Sequence, residues 1–145
     1  MNVTDVTAGN SWFGDNPLMA AEETMGAEFV AALAAKDSEA IAAMLDPQID
    51  FRALTPGRSW EANDPPQVLE TLFGNWFEPS DEIIEVLKVE TDRVAQRERV
   101  GYRLAVRNPE GSFVVEQQAY LSGSGGRIAW MRVLCAGYQP HQTAS

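Results

Sequence analysis

Four residues have the types and spacing for acid–base chemistry. Asp50 lies in "QIDFRAL", Arg99 in "RERVGYR", and Glu116 and Tyr120 in "VVEQQAYL". If "NPEG" joins two strands by an even-length connection, Arg99 faces Tyr120, Gly101 faces Gln118 and Arg103 faces Glu116. A strand has period two, so these side chains share one face. A buried carboxylate has a raised pKa and serves as a general base, while an arginine or tyrosine steadies a developing oxyanion. Asp50 or Glu116 is the candidate base, and Arg99 and Tyr120 are the candidates to polarise a carbonyl. Each has an ordinary reading too. Asp50 can pair with Arg52 or be solvated, Glu116 can pair with Arg103 and stay ionised, and a polar strand face is commonly a wet one. On the residues alone the wet face is the simpler account.

A second set suits ligand capture. Trp60, Phe73, Trp76 and Phe77 can supply apolar walls, Met131 and Val133 share one side of the last strand, and Arg52, Arg103 and Gln118 add polar points. Taken singly, each aromatic also suits plain core packing. Arg52 has two claimants, the pocket and its hairpin neighbour Glu61; the pocket is expected for Arg52 and the rim for Arg58.

Other chemistries are poorly provided for. The single histidine, His141, lies in "YQPHQTAS", so a His-rich metal site or a Ser-His-Asp arrangement is not expected. No P-loop or GxGxxG occurs, and "GSGG" at 123–126 is not followed by a helical pattern. Cys135 is the only cysteine and has no evident activating neighbour. Neither a metal nor a cofactor is expected.

The elements that must position these residues fall in a definite order. Residues 1–20 read as a polar tail containing Trp12 and Phe13, 21–138 as one domain, and 139–145 as a second tail. From Glu22 the apolar positions Met25, Phe29, Ala32 and Leu33 share a helical face. Asp37 or Ser38 caps a second short helix with Ile41, Met44 and Leu45. "QIDFRAL" alternates like a strand, with Ile49, Phe51 and Ala53 on one face. A Pro56-Gly57 turn would then pair Thr55 with Arg58, Ala53 with Trp60 and Arg52 with Glu61. "NDPPQ" opens a third helix, with Asp64 as cap, Pro65 first and Gln67 reaching back, and Val68, Leu72, Phe73 and Trp76 as its stripe. The rest reads as strands at 82–90, 93–107, 112–122 and 127–137, the first two joined by a tight turn at "TD". Helices followed by an antiparallel meander predict an α+β fold, a curved sheet wrapping helices on one face.

The composition sets outer limits. The formal net charge is -10, which argues against nucleic acid or an anionic membrane as partner. No apolar run approaches the ~20 residues that span a bilayer. One cysteine and an N-terminus without a basic or apolar region fit a cytoplasmic address. A second apolar sheet face would suit a homodimer.

Over residues 22–138 the chain resembles the nuclear transport factor two-like superfamily, in its SnoaL-like branch. The carrying segments are "FVAALAAKDSEAIAAMLDPQIDFRALTPGRSWEAN", "RERVGYRLAV" and "GRIAWMRVLCAGYQP". The resemblance implies a conical α+β fold, a mainly antiparallel sheet, a deep pocket between the helices and the concave sheet face, and dimers through the sheet. The superfamily includes ketosteroid isomerases, polyketide cyclases, limonene epoxide hydrolases and non-catalytic binders. Arg99 stands at the arginine of the epoxide hydrolases' Arg-x-Asp strand, but Gly101 stands at the aspartate and Val133 near the last-strand aspartate. The expectation is a small-molecule pocket protein, an acid–base enzyme of cyclase, isomerase or dehydratase type acting on an apolar carbonyl compound. The alternative is a non-catalytic ligand-binding or dimerisation module of the same fold.

Overall fold

The computed structural model describes residues 24–141. Helix α1 (Met25–Ala34) begins where the Thr24 hydroxyl accepts from the Ala27 amide, and α2 (Ser38–Met44) where the Asp37 carboxylate accepts from Ala40. Both caps satisfy amides that the first helical turn leaves without partners. Strand β1 (Leu45–Thr55) follows at once and turns through Pro56-Gly57 into β2 (Arg58–Ala62). The hairpin register is Thr55 with Arg58, Ala53 with Trp60 and Arg52 with Glu61, as the sequence predicts. Gly57 takes φ +77°, a backbone that the turn needs and glycine adopts without strain.

Helix α3 (Pro65–Leu69) has the expected cap: Asp64 accepts from the Gln67 amide at 2.9 Å, and the Gln67 side chain accepts from the Asn63 amide at 2.8 Å. It does not continue as a plain α-helix. Residues Glu70–Trp76 form a π-helical segment, here α4, whose Phe77 amide donates back to Leu72. The wider i→i+5 winding keeps residues four apart on one side. Val68, Leu72 and Trp76 therefore all face the core, while Phe73 turns to a half-buried position.

Strands β3 (Glu82–Val94), β4 (Arg97–Asn108), β5 (Gly111–Ser124) and β6 (Arg127–Pro140) form the meander. The sheet order is β2-β1-β6-β5-β4-β3, antiparallel except where β1 lies parallel to β6. Several boundaries differ from the sequence reading, among them that of Leu45, which opens β1 instead of closing α2. The turn after β3 is Ala95-Gln96 rather than "TD": β3 is an edge strand exposed along most of its length, so no burial alternation marks its end. At the other end, β6 runs on through Pro140.

The β4–β5 register matches the sequence reading, with Arg99 opposite Tyr120, Gly101 opposite Gln118 and Arg103 opposite Glu116. The helices cover the other face. Val100, Tyr102, Leu104 and Val106 of β4 join Val115, Ala119 and Leu121 of β5 and Met131 and Val133 of β6 in one core with Phe29, Leu33 and Leu72. Register shifts interrupt three of the strand pairings. Such bulges bend a sheet and increase its twist, so this one can wrap its helices. At the β5–β6 bulge, Gly137 takes φ +88° and carries β6 past the irregularity, so that Cys135 and Tyr138 both line the inner side.

Candidate functional site

Between α4, the start of β2 and the bulged stretch of β5–β6 lies a cavity of about 200 Å³. Its walls are aromatic: Trp60, Trp76, Phe77 and Tyr138. Trp60 meets Trp76 edge to face at 6.0 Å between centroids, and Arg58 lies 3.6 Å over the Trp60 ring. Gln117 and Cys135 reach it from the sheet and Thr55 from the end of β1.

The polar atoms around this cavity are mostly accounted for, and the exceptions are informative. Trp60 Nε1 donates to Thr55 Oγ1 at 2.8 Å. The Tyr102 hydroxyl, fully buried, donates to Gln117 Oε1 at 2.6 Å, and the Tyr138 hydroxyl donates to the Trp76 carbonyl at 2.8 Å. Burial pushes the Tyr102 pKa well above the usual tyrosine value, with the Cys135 charge adding to it, so the hydroxyl stays protonated and remains a donor. Burial also raises Tyr138, assisted by the nearby Asp81 carboxylate. Asp81 itself is buried and closes the loop after α4, accepting from the Glu78 amide and from Asn108 Nδ2, both at 2.9 Å. Trp76 Nε1 is buried with no hydrogen-bond partner among the described residues. Gln117 Oε1 is taken by Tyr102, which leaves its Nε2 as a second donor at the cavity wall.

The polar ladder lies on the opposite face of the sheet. Arg99 donates to both Asp92 oxygens, at 2.9 and 3.1 Å, and to Gln118 Oε1 at 2.8 Å. Its guanidinium pKa is raised further, first by the Asp92 hydrogen bonds. Gln118 reaches the Tyr120 hydroxyl at 3.4 Å. Arg103 pairs with Glu116 at 3.0 Å, and Arg132 holds the Asp50 carboxylate at 3.2 Å and its carbonyl at 3.0 Å. Arg52 is exposed, 3.7 Å from Asp50, and lines an outer cleft of about 360 Å³ with Arg132, Leu54 and Leu134.

The candidate site residues thus divide. Asp50, Arg52, Arg99, Arg103, Glu116, Gln118 and Tyr120 stand on the outer face, away from the helices. Trp60 and Trp76 line the inner cavity; Met131 and Val133 are buried in the core; Phe73 borders a shallow surface hollow beside α2. The expectation that the ladder shares a pocket with the aromatic walls is corrected by the sheet itself. The face with the longer apolar row is the one that helices cover, so the polar row must point the other way.

A candidate isomerase from Rhodopseudomonas palustris is similar at TM-score 0.63 and 16% identity, over 78% of this chain and 90% of that one. So are an LEH-like epoxide hydrolase from M. tuberculosis (TM-score 0.56, 12% identity, 77% and 79% covered) and a candidate polyketide cyclase from Sinorhizobium meliloti (TM-score 0.54, 15%, 77% and 94%). The chain has the nuclear transport factor two-like fold. No family model and no curated protein matches its sequence.

Within this nuclear transport factor two-like fold, the cavity takes its polar groups from positions that the sequence reading passed over. Gln117 interrupts the apolar row Phe113, Val115, Ala119, Leu121, directly opposite Tyr102. A glutamine in that row is the signal that marks an inner polar point. Tyr138 gave no comparable signal, because a bulge places it. Among the described residues no group of three His, Cys, Asp or Glu side chains is placed to hold a metal ion, and no helix is long and apolar enough to cross a membrane.

Proposed function

We propose that this protein binds a small, neutral, largely apolar molecule bearing a hydrogen-bond acceptor, such as a ketone or ester carbonyl, in the inner cavity. The observation that carries the reading is the buried Trp76 indole N–H without a partner, beside the Gln117 amide whose oxygen is already engaged. Buried donors are nearly always satisfied; an acceptor on a ligand would meet Gln117 Nε2, and would meet Trp76 Nε1, closed off from the cavity as the ring now sits, after a small turn of the indole. The walls carry no carboxylate and no arginine, so they select for neutrality. The volume lies below the roughly 300–1,000 Å³ of drug-sized pockets, which points to a ligand of one or two small rings.

The test is a binding series of cyclic ketones against hydrocarbons of the same shape, read by calorimetry. The ketone should bind at least about tenfold more tightly, since an unmet donor costs about 1–3 kcal/mol. Equal affinity for ketone and hydrocarbon would remove the reading.

A second reading is acid–base catalysis on the same ligand class. It is supported by the fold shared with proteins named as isomerase and cyclase, and by Arg99 and Tyr120, donors on the same outer face as Asp50 and Glu116 that could steady an enolate there. Asp50 and Glu116 are ion-paired on the far face, so they could act only on a substrate bound there. Exchange of α-protons with deuterated water in a bound ketone, compared between wild type, Asp50→Asn and Arg99→Ala, separates the two. Exchange abolished by either variant supports catalysis by the outer face; no exchange above the buffer rate leaves the binding reading.

A further inference from the structure

We propose that the pole where the β3–β4 and β5–β6 hairpins meet is a binding site for a small polyanion, a phosphate ester or a di- or tricarboxylate. The site shares no lining residue with the inner cavity. The chain has 21 acidic and 11 basic residues, so arginines should find partners easily, and most do. Arg52 and Arg132 have Asp50, Arg99 has Asp92, Arg103 has Glu116 and Arg107 has Glu82, while Arg58 stacks on Trp60. Arg93, Arg97 and Arg127 have no carboxylate within 4.0 Å among the described residues.

All three stand on two neighbouring hairpin tips; Arg93 and Arg97 leave opposite faces of the β3–β4 ribbon and both border the cleft at its end, while Arg127 stands outside its lining. Val94 pairs with Arg97 around Ala95-Gln96, and Ser124 pairs with Arg127 around Gly125-Gly126. A cleft of about 760 Å³ opens between the tips, with Arg93, Arg97, Gln96, Ser122 and Gly125 on its walls and Met25 of α1 at its side. Two of the guanidiniums are held in place. Arg97 lies 3.7 Å over the Trp130 ring, and Arg93 donates to the Gln96 carbonyl at 3.4 Å. Gly125 and Gly126 take φ of +61° and +82°, the left-handed pair of a type I′ turn, whose two central amides are not used in closing the hairpin. A Cβ at either glycine would meet nothing within 4 Å, so this backbone stands open to a ligand.

Among the neighbouring carboxylates, Glu98 stands across the strands from Arg93 but beyond 4.0 Å of its guanidinium, and both it and Asp92 have other partners. Glu98 accepts from the Gly26 amide at 3.0 Å, and Asp92 is held by Arg99. A single exposed charge pair contributes little in water. The global charge of -10 also repels anions at long range. Only a ligand that meets both Arg93 and Arg97 around the tip, together with the free turn amides, overcomes both effects, which selects a polyanion over a monoanion.

The experiment is an NMR titration of the whole chain with inorganic pyrophosphate, with citrate, and with sodium chloride at matched ionic strength. Pyrophosphate or citrate should shift the Gly125 and Gly126 amides saturably, and the stronger of the two identifies phosphate or carboxylate as the ligand chemistry. Arg93→Gln should weaken binding about tenfold, the loss of one charge-assisted contact. Arg58→Gln and Trp76→Phe should leave it unchanged, so the outcome is independent of the inner cavity. If Arg97→Gln unfolds through loss of the Trp130 stack, Arg93→Gln still decides, because Arg93 stacks on no aromatic ring among the described residues. Shifts that never saturate, that chloride reproduces, or that survive Arg93→Gln undiminished would overturn the proposal.

Discussion

Replacing Trp76 by phenylalanine should cost this protein little stability, although Trp76 is only 8% exposed. The change removes the indole N–H, a buried donor without a partner among the described residues, and so relieves a penalty of about 1–3 kcal/mol. Against this stands the smaller ring. The phenyl keeps contacts with Phe51 and Trp60, whose centroids lie 6.2 and 6.0 Å from the Trp76 ring, and the lost volume costs about 1–2 kcal/mol. The two effects nearly cancel. Trp60→Phe is the control, because Trp60 Nε1 is satisfied by Thr55 Oγ1 at 2.8 Å. That variant loses ring contacts and about 1 kcal/mol of hydrogen bond with no relief. The more exposed tryptophan should therefore be the costlier one to replace, the reverse of what burial alone predicts. Urea unfolding followed by far-ultraviolet circular dichroism gives both values. If Trp76→Phe were as damaging as Leu72→Ala, expected at about 2–5 kcal/mol, the Nε1 donor would have to be satisfied and the argument for a carbonyl ligand would fail.

Stability should be flat with rising pH until about pH 10 and then fall, because folded Tyr102 keeps its proton where the unfolded chain releases it. The unfolded state binds fewer protons there, so Tyr102 contributes a loss of about 1.4 kcal/mol per pH unit; a Tyr102→Phe variant with the same alkaline slope would contradict its burial as a neutral donor. Gly57→Ala should destabilise by about 1 kcal/mol in thermal melts: the space around Gly57 is open, so the cost is that of φ +77° alone, and an unchanged midpoint would place the turn elsewhere. A homodimer through the outer sheet face is expected in sedimentation, since Leu54 and Leu134 are exposed there among charges already paired with one another. Leu134→Asp should shift it to monomer, and a wild type that sediments as a monomer at high concentration would remove this expectation.

Much of the local structure was legible in the sequence because short-range rules determine it. Asp37 and Asp64 cap their helices, Pro56-Gly57 sets the β1–β2 register, and the connection at "NPEG" sets the β4–β5 register. Each depends on a few adjacent residues whose backbone preferences leave one good solution. The end of β3 was not legible, since the turn residue Ala95 takes φ +57° in a stretch with no glycine, proline or asparagine to mark it. Nor was the π-helical winding of Glu70–Trp76. The stripe Val68, Leu72, Trp76 fits a four-residue step as well as an α-helical one, and only the placement of Phe73 differs.

The candidate site failed to assemble as expected for a reason of the same kind. Period two sorts a strand's residues into two faces but is silent on which face meets the helices. Arg99, Arg103, Glu116 and Tyr120 were grouped correctly and still lie outside, because a row that can satisfy itself with cross-strand pairs has no need of a covered interior. The inner face is where polarity is informative. There, a glutamine among Val115, Ala119 and Leu121 must be hydrogen-bonded or meet a ligand, and here it does the first with Tyr102 while its remaining donor borders a cavity. The charged residues have the conspicuous chemistry, but their mutual pairing makes them poor evidence for a pocket. The neutral donors Gln117 and Trp76 are the stronger evidence, since burial raises the cost of leaving them unmet. A sequence of this fold is therefore better searched for polar interruptions in its apolar strand rows than for its densest row of charge.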